Sequence, residues 1–288
     1  MYNRILKCRV LDIYNEISFK TSKLITKTYS TSFSMAVSFL SSEMRLAIYS
    51  IYGFVRFADE IVDTFNTLNQ KLLLDNFERD YNDALLNGFS MNPVLHSFVT
   101  TIKKYNIPPK LVESFLNSMK ADLVKHYYNN ANEFDEYIYG SADAVGLMCL
   151  MVFVNGNNQL YDELEKPAMK LGSAFQKVNF LRDIKADVEQ LDRRYFLQFD
   201  TKSFDDTFKN QIIENIEYDF KEAKEGIKRL PRKSILAVLV AFIYYKKLLK
   251  KLKYTPAKKI MSTRIRLPGY MKIMLLVKAF LKYQFKAI

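Results

Sequence analysis

Four aspartates form two pairs with the same spacing, Asp59 with Asp63 and Asp183 with Asp187. In an α-helix of 3.6 residues per turn, side chains four residues apart lie on one face, about one turn apart. Like charges at this spacing repel one another, so a cation has to offset them. Mg²⁺ takes oxygen ligands and often shares carboxylates with substrate phosphates. The two pairs therefore indicate opposing carboxylate walls of a metal–diphosphate site.

Each pair belongs to a stretch that is otherwise largely apolar. Arg56 precedes Asp59 by three residues in FVRFADEIVDTF, and the second pair ends a polar stripe in FQKVNFLRDIKADVEQLDRRYF. The stripe consists of Gln176, Asn179, Asp183 and Asp187. One such pair is usually a solvated helix face, whereas two pairs with a nearby arginine and amide favour a binding site. Spacing alone leaves both interpretations open.

Few residues interrupt helices in this chain, which predicts an all-α fold. Only 8 of the 288 residues are glycine and 7 are proline, and no alternating strand pattern or fixed-period repeat occurs. We therefore predict a single-domain helical bundle over residues 1–288. After a helix and a turn at 15–40, helices are expected at 43–64, 67–87, 93–105, 108–129, 133–154, 160–189, 208–229, 233–253 and 268–286. The helix at 133–154 is apolar nearly all round, which is typical of a buried helix.

Composition excludes several kinds of site. Cys8 and Cys149 give neither a disulfide framework nor metal-ligand spacing, and the two histidines, His96 and His126, are expected at the surface or at helix ends. Glycine-rich nucleotide loops are missing. Neither a signal-peptide core nor a run of about 18 apolar residues occurs. These features predict a protein of the reducing cytoplasm.

The net charge of +12 favours anionic partners, and much of the basic excess lies in the last fifty residues. No nucleic-acid-binding motif occurs, so nucleic acid is not expected as a partner. Residues 264–288 are expected to form a basic amphipathic tail in which Lys278, Lys282 and Lys286 recur every four residues. This helix either lies on a membrane surface or closes the bundle with its lysines extended into solvent.

Three segments resemble signatures of the squalene/phytoene synthase family. They are YSTSFSMAVSFLSSEMRLAIYSIYGFVRFADEIVD, YIYGSADAVGLMCL and FQKVNFLRDIKADVEQLDRRYF. Their order and spacing agree with the family from about Tyr29 to RIRLPGYMK. The resemblance implies an all-α fold of the isoprenoid synthase type with a central apolar cavity. It also implies head-to-head joining of two prenyl diphosphates through a cyclopropylcarbinyl diphosphate.

By this resemblance, the acidic pairs bind Mg²⁺, with Mn²⁺ as an alternative. The implied metal ligands are Asp59, Asp63, Asn179, Asp183 and Asp187. The four aspartates together with Tyr52 and Tyr245 are the implied catalytic residues. Substrate contacts are implied for Tyr29, Ser32, Phe33, Arg56, Gln176, Asn179, Arg182, Arg194 and Tyr195. Glu60 stands where many members have an aspartate and is not assigned as a ligand.

Apolar and aromatic residues are expected to line the cavity, because water would quench a carbocation and aromatic faces stabilise cations. The candidates are Phe33, Tyr52, Phe57, Val145, Leu147, Phe175 and Tyr245, any one of which can instead be an ordinary core residue. Asp122 matches an inward-facing aspartate of the family whose role is open. Asp143 departs from the family, whose members often have glycine after Ala142, and is expected to alter how its helix approaches the cavity.

The function that the resemblance implies is Mg²⁺-dependent condensation of two geranylgeranyl diphosphates to phytoene through prephytoene diphosphate. This is the first step of carotenoid biosynthesis and uses no NADPH. The short chain without a C-terminal membrane anchor favours a bacterial phytoene synthase. The alternatives are a squalene or dehydrosqualene synthase acting on farnesyl diphosphate, a non-catalytic relative and a membrane-surface scaffold. Because the product is a water-insoluble hydrocarbon, peripheral association with the inner membrane surface is also expected.

Overall fold

The computed structural model describes residues 2–197, 199–201 and 203–285, with side chains from residue 11 onward. Within these residues it is built from α-helices and one π-helical turn and has no β-strand, so the prediction of an all-α fold is confirmed. Lys286 of the predicted tail and the side chain of Cys8 lie outside the described residues. The helices are α1 (Tyr2–Tyr29), α2 (Thr31–Val37), α3 (Ser42–Asp63), α4 (Gln70–Asn87), α5 (Pro93–Tyr105), α6 (Pro109–Asp122), α7 (Ala131–Ile138), α8 (Ala144–Phe153), α9 (Asn158–Leu191), α10 (Asp206–Arg229), α11 (Arg232–Lys253), α12 (Ala257–Ile260) and α13 (Gly269–Gln284), and the π-helical turn is Tyr139–Asp143.

Short polar side chains begin most of these helices. Ser41 accepts a hydrogen bond from the backbone N–H of Met44 at the start of α3, and Asn157 accepts one from Leu160 at the start of α9. Such caps satisfy N–H groups that have no partner in the first turn, and each contributes about 1 kcal/mol. Local sequence therefore fixes the starts of the two helices that carry the aspartate pairs.

The longest helix, α9, lies at the centre of the bundle. It spans 34 residues and packs against α8, α10, α11 and the π-helical turn. Elsewhere, α1 packs against α3 and α5, and α11 packs against α13. Two large clusters of buried apolar residues result, one built on α3, α5, α6 and α8 and the other on α9, α10 and α11. The two acidic segments are thus carried by different halves of the core.

Three helix predictions are wrong in detail. The first helix, predicted from residue 15, begins at Tyr2. α6 ends at Asp122, so the predicted helix at 108–129 stops early. The predicted helix at 133–154 is interrupted by the π-helical turn between α7 and α8. In this turn, a Cβ on Gly140 would stand 2.4 Å from the backbone oxygen of Ser114. Only glycine permits so close an approach to α6, and single π-helical turns of this kind occur frequently at functional sites.

His96 lies at a helix end, as predicted, but it is buried rather than exposed. The backbone N–H of Ser90 donates to its Nδ1 at 3.4 Å, so its Nε2 carries the proton that is donated to Oδ1 of Asn15 at 2.6 Å. The imidazole therefore joins α1 to the start of α5. His126 is exposed, as predicted.

One continuous helical stretch, Ala131–Phe153, is long and apolar enough to cross a membrane by length and composition alone. Within the fold, however, 56% of its most apolar window is buried. A buried core helix passes the same test, and the sequence pattern predicts burial here.

Candidate active site

A cavity of about 910 Å³ lies between the two halves of the core. Its walls come mainly from α2, α3, α6, α8, α9, α10 and α11, with the π-helical turn, the chain after α9 and the segment that leads into α13. Pockets that hold drug-sized molecules measure roughly 300–1,000 Å³, so this cavity is at the upper end of that range. The end at which Asp59, Asp63, Asp183 and Asp187 gather is called the mouth below.

A single face of α9 lines the cavity from the interior to the mouth. Its lining residues recur every three or four positions and include Leu164, Ala168, Leu171, Phe175, Asn179, Asp183 and Asp187. At 1.5 Å per residue, the stretch from Leu164 to Asp187 is about 35 Å long. The lining residues of α9 are apolar as far as Phe175, and all of its polar lining residues come from Gln176 onward, with Phe180 and Leu191 among them. The apolar interior and the polar mouth therefore both follow from the sequence of one helix.

The facing wall is lined by α3 in the same order. Its lining residues are Ile48, Ile51, Tyr52, Val55, Arg56, Asp59 and Asp63. Again the apolar residues come first and the aspartates last, so α3 and α9 both direct their carboxyl ends toward the mouth. The partial negative charge at a helix C-terminus adds to that of the aspartates. The mouth is therefore a place where positive charge is stabilised.

The structure brings the two aspartate pairs close enough to affect one another. Burial raises the pKa of Asp187 to about 8, and the neighbouring carboxylates of Asp183 and Asp63 add to this shift. Burial also raises the pKa of Asp59 to about 6, again with a contribution from Asp63. Because Asp63 belongs to α3 and Asp187 to α9, the two carboxylate walls face each other as the spacing predicts.

Arg56 lies among the acidic residues of α3. Its Nη1 donates to Oδ2 of Asp59 at 2.7 Å, and its other amino group pairs with Glu60. The guanidinium carbon lies 4.3 Å from the centre of the Tyr29 ring, which is a cation–π distance. Glu60 is buried and pairs with the same arginine as Asp59.

On the other wall, two arginines meet Asp183. Arg182 donates to both of its carboxylate oxygens, at 2.9 and 2.5 Å, and Nε of Arg264 lies 2.7 Å from Oδ1. Arg264 comes from the segment before α13 and is a residue that our sequence analysis did not assign. Planar guanidinium groups bind carboxylates and phosphates through paired hydrogen bonds. These arginines can therefore exchange a carboxylate for a diphosphate when one enters.

Arg193 is the most deeply buried arginine of the mouth, and the sequence analysis missed it. Its Nη1 donates to Oδ1 of Asp63 at 2.6 Å, and its Nη2 donates to the backbone oxygen of Val62 at 3.0 Å. That carbonyl is one of the last in α3, which have no partner within the helix. Arg193 therefore caps α3, holds Asp63 in place and ties α3 to the chain that follows α9.

Arg194 does not line the cavity, so the structure does not bring it together with the other predicted substrate contacts. Its side chain is 41% exposed and lies 3.4 Å from Asp192. α9 ends at Leu191, and Asp192 adopts a φ of 49° in the left-handed region, which turns the chain and directs Arg193 inward. The backbone N–H of Arg194 donates to the carbonyl oxygen of His126 at 2.8 Å and fixes this orientation.

Asp122 lies beside Arg193 and faces inward, as the resemblance implies. The hydroxyl of Tyr137 donates to its Oδ2 at 2.9 Å, whereas Oδ1 is buried without a hydrogen bond, 3.9 Å from Nε of Arg193. Burial raises the pKa of Asp122 to about 7, with Arg193 acting in the opposite direction. Tyr195 closes this corner of the cavity, since its ring stacks on Phe180 with centroids 3.8 Å apart.

Four predicted aromatic residues form two stacked pairs on different walls. The rings of Phe33 and Tyr52 lie 5.0 Å apart, and those of Phe175 and Tyr245 lie 4.1 Å apart. The hydroxyl of Tyr245 donates to Oδ1 of Asn179 at 3.2 Å, which links this pair to the polar stripe of α9. Electron-rich ring faces next to the mouth are suited to stabilising a cation.

The structure separates the remaining candidates into two groups. Tyr29, Ser32, Gln176 and Val145 line the cavity. Phe57 and Leu147 do not line it but pack into the core, so those two predictions are wrong. Phe57 is two positions from Val55, which places it about 200° around α3 from the lining face.

The oxygen ligands at the mouth fit Mg²⁺ that is bound together with a diphosphate. The candidate ligands are carboxylate and amide oxygens, which a small hard cation prefers. Among the described residues, no three acidic, histidine or cysteine side chains converge closely enough to chelate a metal by themselves. Mg²⁺ commonly keeps several waters and takes one or two carboxylates together with substrate phosphates, so two separated walls suit it.

Asp143 lies behind the cavity wall. Its two carboxylate oxygens accept from the hydroxyl of Ser173 at 2.8 and 3.1 Å. Beside it, α9 approaches so closely that a Cβ on Gly172 would stand 2.9 Å from the backbone oxygen of Ala142. Gly172 and Ala142 both line the cavity. The carboxylate thus joins the π-helical turn to α9 at a point where both form the wall.

The free energy of unfolding is expected to fall as pH rises from about 5 to 7, and Asp143→Asn should remove about 2 kcal/mol of this fall. Burial raises the pKa of Asp143 to about 7, with Ser173 and Lys177 opposing the shift, from an ordinary value of about 3.9. The folded state therefore retains a proton that the unfolded chain has released. Its stabilising effect is complete below about pH 4 and is lost as the pH rises through 7.

Denaturant titrations of the wild type and of Asp143→Asn at about pH 5 and pH 7 measure how much the free energy of unfolding of each protein falls. Asp219 and Lys170 also face Asp143. For each protein, the free energy of unfolding at about pH 7 is therefore compared with that of the same protein at about pH 5. Equal pH dependence in the two proteins would contradict the prediction.

The fold and the site define a class of helical enzyme in which two acidic walls face each other across an apolar cavity. The family model for squalene/phytoene synthases matches residues 26–270, and the chain belongs to this family. The family predicted from the sequence motifs is therefore confirmed. Its members are prenyltransferases.

Phytoene synthases from plants and cyanobacteria are similar to this chain over most of its length. Phytoene synthase 1 from Zea mays is 28% identical over 243 residues, which cover 78% of this chain and 59% of the relative. The 15-cis-phytoene synthase from Synechocystis sp. is 26% identical over 294 residues, which cover 93% of this chain and 86% of the relative. The chain thus spans less than two thirds of the maize protein but most of the cyanobacterial one.

Solved structures show the same fold. A dehydrosqualene synthase superimposes with a TM-score of 0.81 at 22% identity, covering 95% of this chain and 98% of that one. Squalene synthase HpnC from Alicyclobacillus acidocaldarius gives a TM-score of 0.74 at 21% identity, covering 85% of this chain and 97% of that one. The prediction of an isoprenoid synthase fold is confirmed.

Proposed function

We propose that this protein joins two geranylgeranyl diphosphates head to head and forms phytoene. The observation that carries the proposal is the placement of two aspartate pairs, on α3 and α9, at the polar mouth of one apolar cavity. Such a site lets a diphosphate depart into a charged region while its prenyl chain remains in an apolar one.

At the mouth, the residues of the chain hold and orient the diphosphate. Mg²⁺, proposed to be held by the four aspartates and Asn179, would offset the charge of the departing group when bound. Arg56 and Arg182 line the cavity beside these ligands and are proposed to bind diphosphate oxygens. Arg193, through its 2.6 Å contact, keeps Asp63 directed at the mouth.

The interior is proposed to carry the cationic stages. Ionisation breaks the C1–O bond of one substrate, and the double bond of the second attacks the allylic cation with loss of a proton. The cyclopropylcarbinyl diphosphate then ionises, rearranges, opens its ring and loses a second proton. The stacked Phe33–Tyr52 and Phe175–Tyr245 pairs present ring faces to these cations, and the apolar walls exclude water.

The choice of geranylgeranyl diphosphate is supported by the relatives from maize and Synechocystis, both of which are phytoene synthases. The cavity is also apolar along most of its depth, since the lining residues of α9 from Leu164 to Phe175 are apolar, which suits a prenyl chain.

Product analysis tests the proposal. The purified protein is incubated with Mg²⁺ and either geranylgeranyl or farnesyl diphosphate, each with and without NADPH, and the extracted hydrocarbon is identified by mass. We expect phytoene from the C20 substrate, unchanged by NADPH. A C30 hydrocarbon formed only from farnesyl diphosphate would overturn the choice of substrate, and an NADPH requirement would then distinguish squalene from dehydrosqualene synthesis. Folded protein that yields no hydrocarbon would overturn the proposed catalysis.

A further inference from the structure

Charge is distributed unevenly along the chain. Residues 226–288 contain 17 lysines and arginines and no aspartate or glutamate, whereas residues 1–225 contain 26 basic and 31 acidic residues. This acid-free segment comprises the end of α10, then α11, α12 and α13 with their connections. A block of one sign of this length produces a positive surface that favours an anionic partner.

The last helix of the acid-free segment, α13, is apolar on two sides. Its inner side buries Leu275 and Ala279, and the helix packs against α11. Packing of α13 against the bundle therefore explains the apolar residues on its inner side but not those on its outer side. The outer side carries five side chains that are each 44–64% exposed. These residues, called the outer arc below, are Ile273, Met274, Val277, Phe280 and Leu281.

The outer arc adjoins the mouth of the cavity. Lys272, the residue before the arc, lines the cavity, and its Nζ donates to the hydroxyl of Thr31 at 3.1 Å. A few residues earlier, Arg264 contacts Asp183 at 2.7 Å. The chain therefore passes from the acidic mouth directly onto an exposed apolar surface.

We propose that the outer arc and the basic residues around it dock on a lipid bilayer that contains anionic phospholipids. An exposed apolar stripe on a basic helix settles at the boundary between headgroups and acyl chains. Each lysine or arginine near an anionic surface strengthens binding about fivefold. Docking does not depend on the proposed reaction, because it requires only the charge and exposure of these side chains.

Two other occupants match the surface less well. A second copy of the chain related by two-fold symmetry would place one acid-free surface against another, and like charges would oppose association. A nucleic acid would satisfy the charge but would leave the outer arc in water, because most of its contacts are with phosphates. An anionic bilayer matches both the charge and the apolar arc.

Vesicle co-sedimentation of the full chain tests this docking surface. The vesicles contain phosphatidylcholine alone or with about 30 mol% phosphatidylglycerol, which supplies the negative charge. The wild type is expected to bind the anionic vesicles at least about tenfold more tightly than the neutral ones. Val277→Ser/Phe280→Ser should weaken that binding at least about tenfold, because two apolar side chains no longer leave water.

Two further variants separate charge from apolarity. Lys278→Gln should weaken binding about fivefold, because it removes one exposed charge from the helix that carries the outer arc. The matched control is Leu72→Ser/Leu86→Ser on α4, where the two leucines are 54% and 83% exposed but stand among acidic residues, and it should bind like the wild type. Asp59→Asn should also bind like the wild type, whatever its activity, which separates docking from catalysis.

Three outcomes would overturn the docking surface. They are the absence of wild-type binding to anionic vesicles, unchanged binding by Val277→Ser/Phe280→Ser, and equal weakening by the α4 control. Because the substituted residues are exposed, their variants are expected to fold, and circular dichroism checks that they do.

Discussion

Asparagine in place of Asp59 or Asp187 is expected to lower kcat by about 10²–10³-fold while leaving the protein as stable as before or more stable. Each variant removes one negative charge from the mouth, on α3 or on α9, so a departing diphosphate is less well neutralised. Burial raises the pKa of Asp59 to about 6 and that of Asp187 to about 8, so the charged carboxylates destabilise the free protein. Activity and stability should therefore change in opposite directions.

Hydrocarbon formation at saturating substrate measures the first effect, and denaturant titration at about pH 8 measures the second. The matched control is Asp75→Asn, since Asp75 lies on α4 with its side chain 45% exposed and its carboxylate pairs with Lys71 at 2.8 Å. The control should retain full activity. A variant of the mouth that keeps wild-type kcat, or that loses activity only because it unfolds, would contradict the assignment.

The parts of the site that could be predicted lie on regular helices. Asp59 and Asp63, like Asp183 and Asp187, repeat at helical spacing, and the residues between them reveal which face is polar. Because the period of an α-helix fixes which side chains share a face, the composition of each wall follows from local sequence.

Predictions fail where the backbone leaves the helical period. The assignment of Arg194 instead of Arg193 depends on one residue, Asp192, whose left-handed φ of 49° reverses which side chain turns inward. Phe57 and Leu147 show a related error, since an apolar residue next to a lining position can belong to the core instead. Adjacent positions are 100° apart on a helix, so residue type alone does not distinguish a position that lines the cavity from one that packs into the core.

Contacts between distant segments could not be predicted from local patterns. Arg264 reaches Asp183 across 81 residues, and Arg193 reaches Asp63 across 130. The only sequence signal for these partners is the charge they must offset, because buried carboxylates require a cation or a proton. The unusual concentration of basic residues after Gly226 is such a signal, although it does not indicate which arginine enters the site.

The largest loss of stability is expected from Arg193→Gln, at about 3–5 kcal/mol near pH 8. Arg193 is 5% exposed and contacts Asp63, the carbonyl oxygen of Val62 and the hydroxyl of Tyr195. Removing its charge leaves the buried carboxylate of Asp122 without a cation and takes one of two side-chain donors from the carbonyl oxygen of Val62, to which Gln70 also donates. The matched control is the neighbouring, exposed Arg194→Gln, which should change the free energy of unfolding by less than about 0.5 kcal/mol.

The stability lost in Arg193→Gln should become smaller as the pH falls. This pH dependence distinguishes an electrostatic role of Arg193 from a role in packing. Burial raises the pKa of Asp122 to about 7, and removing Arg193 removes the charge that opposes this shift. Below about pH 6, Asp122 in the variant is therefore protonated and no longer needs a cation. The double variant Arg193→Gln/Asp122→Asn should likewise regain about 1–3 kcal/mol at pH 8 relative to the sum of the single changes. A loss that is independent of pH and additive with Asp122→Asn would mean that Arg193 acts through packing and the cap on α3 alone.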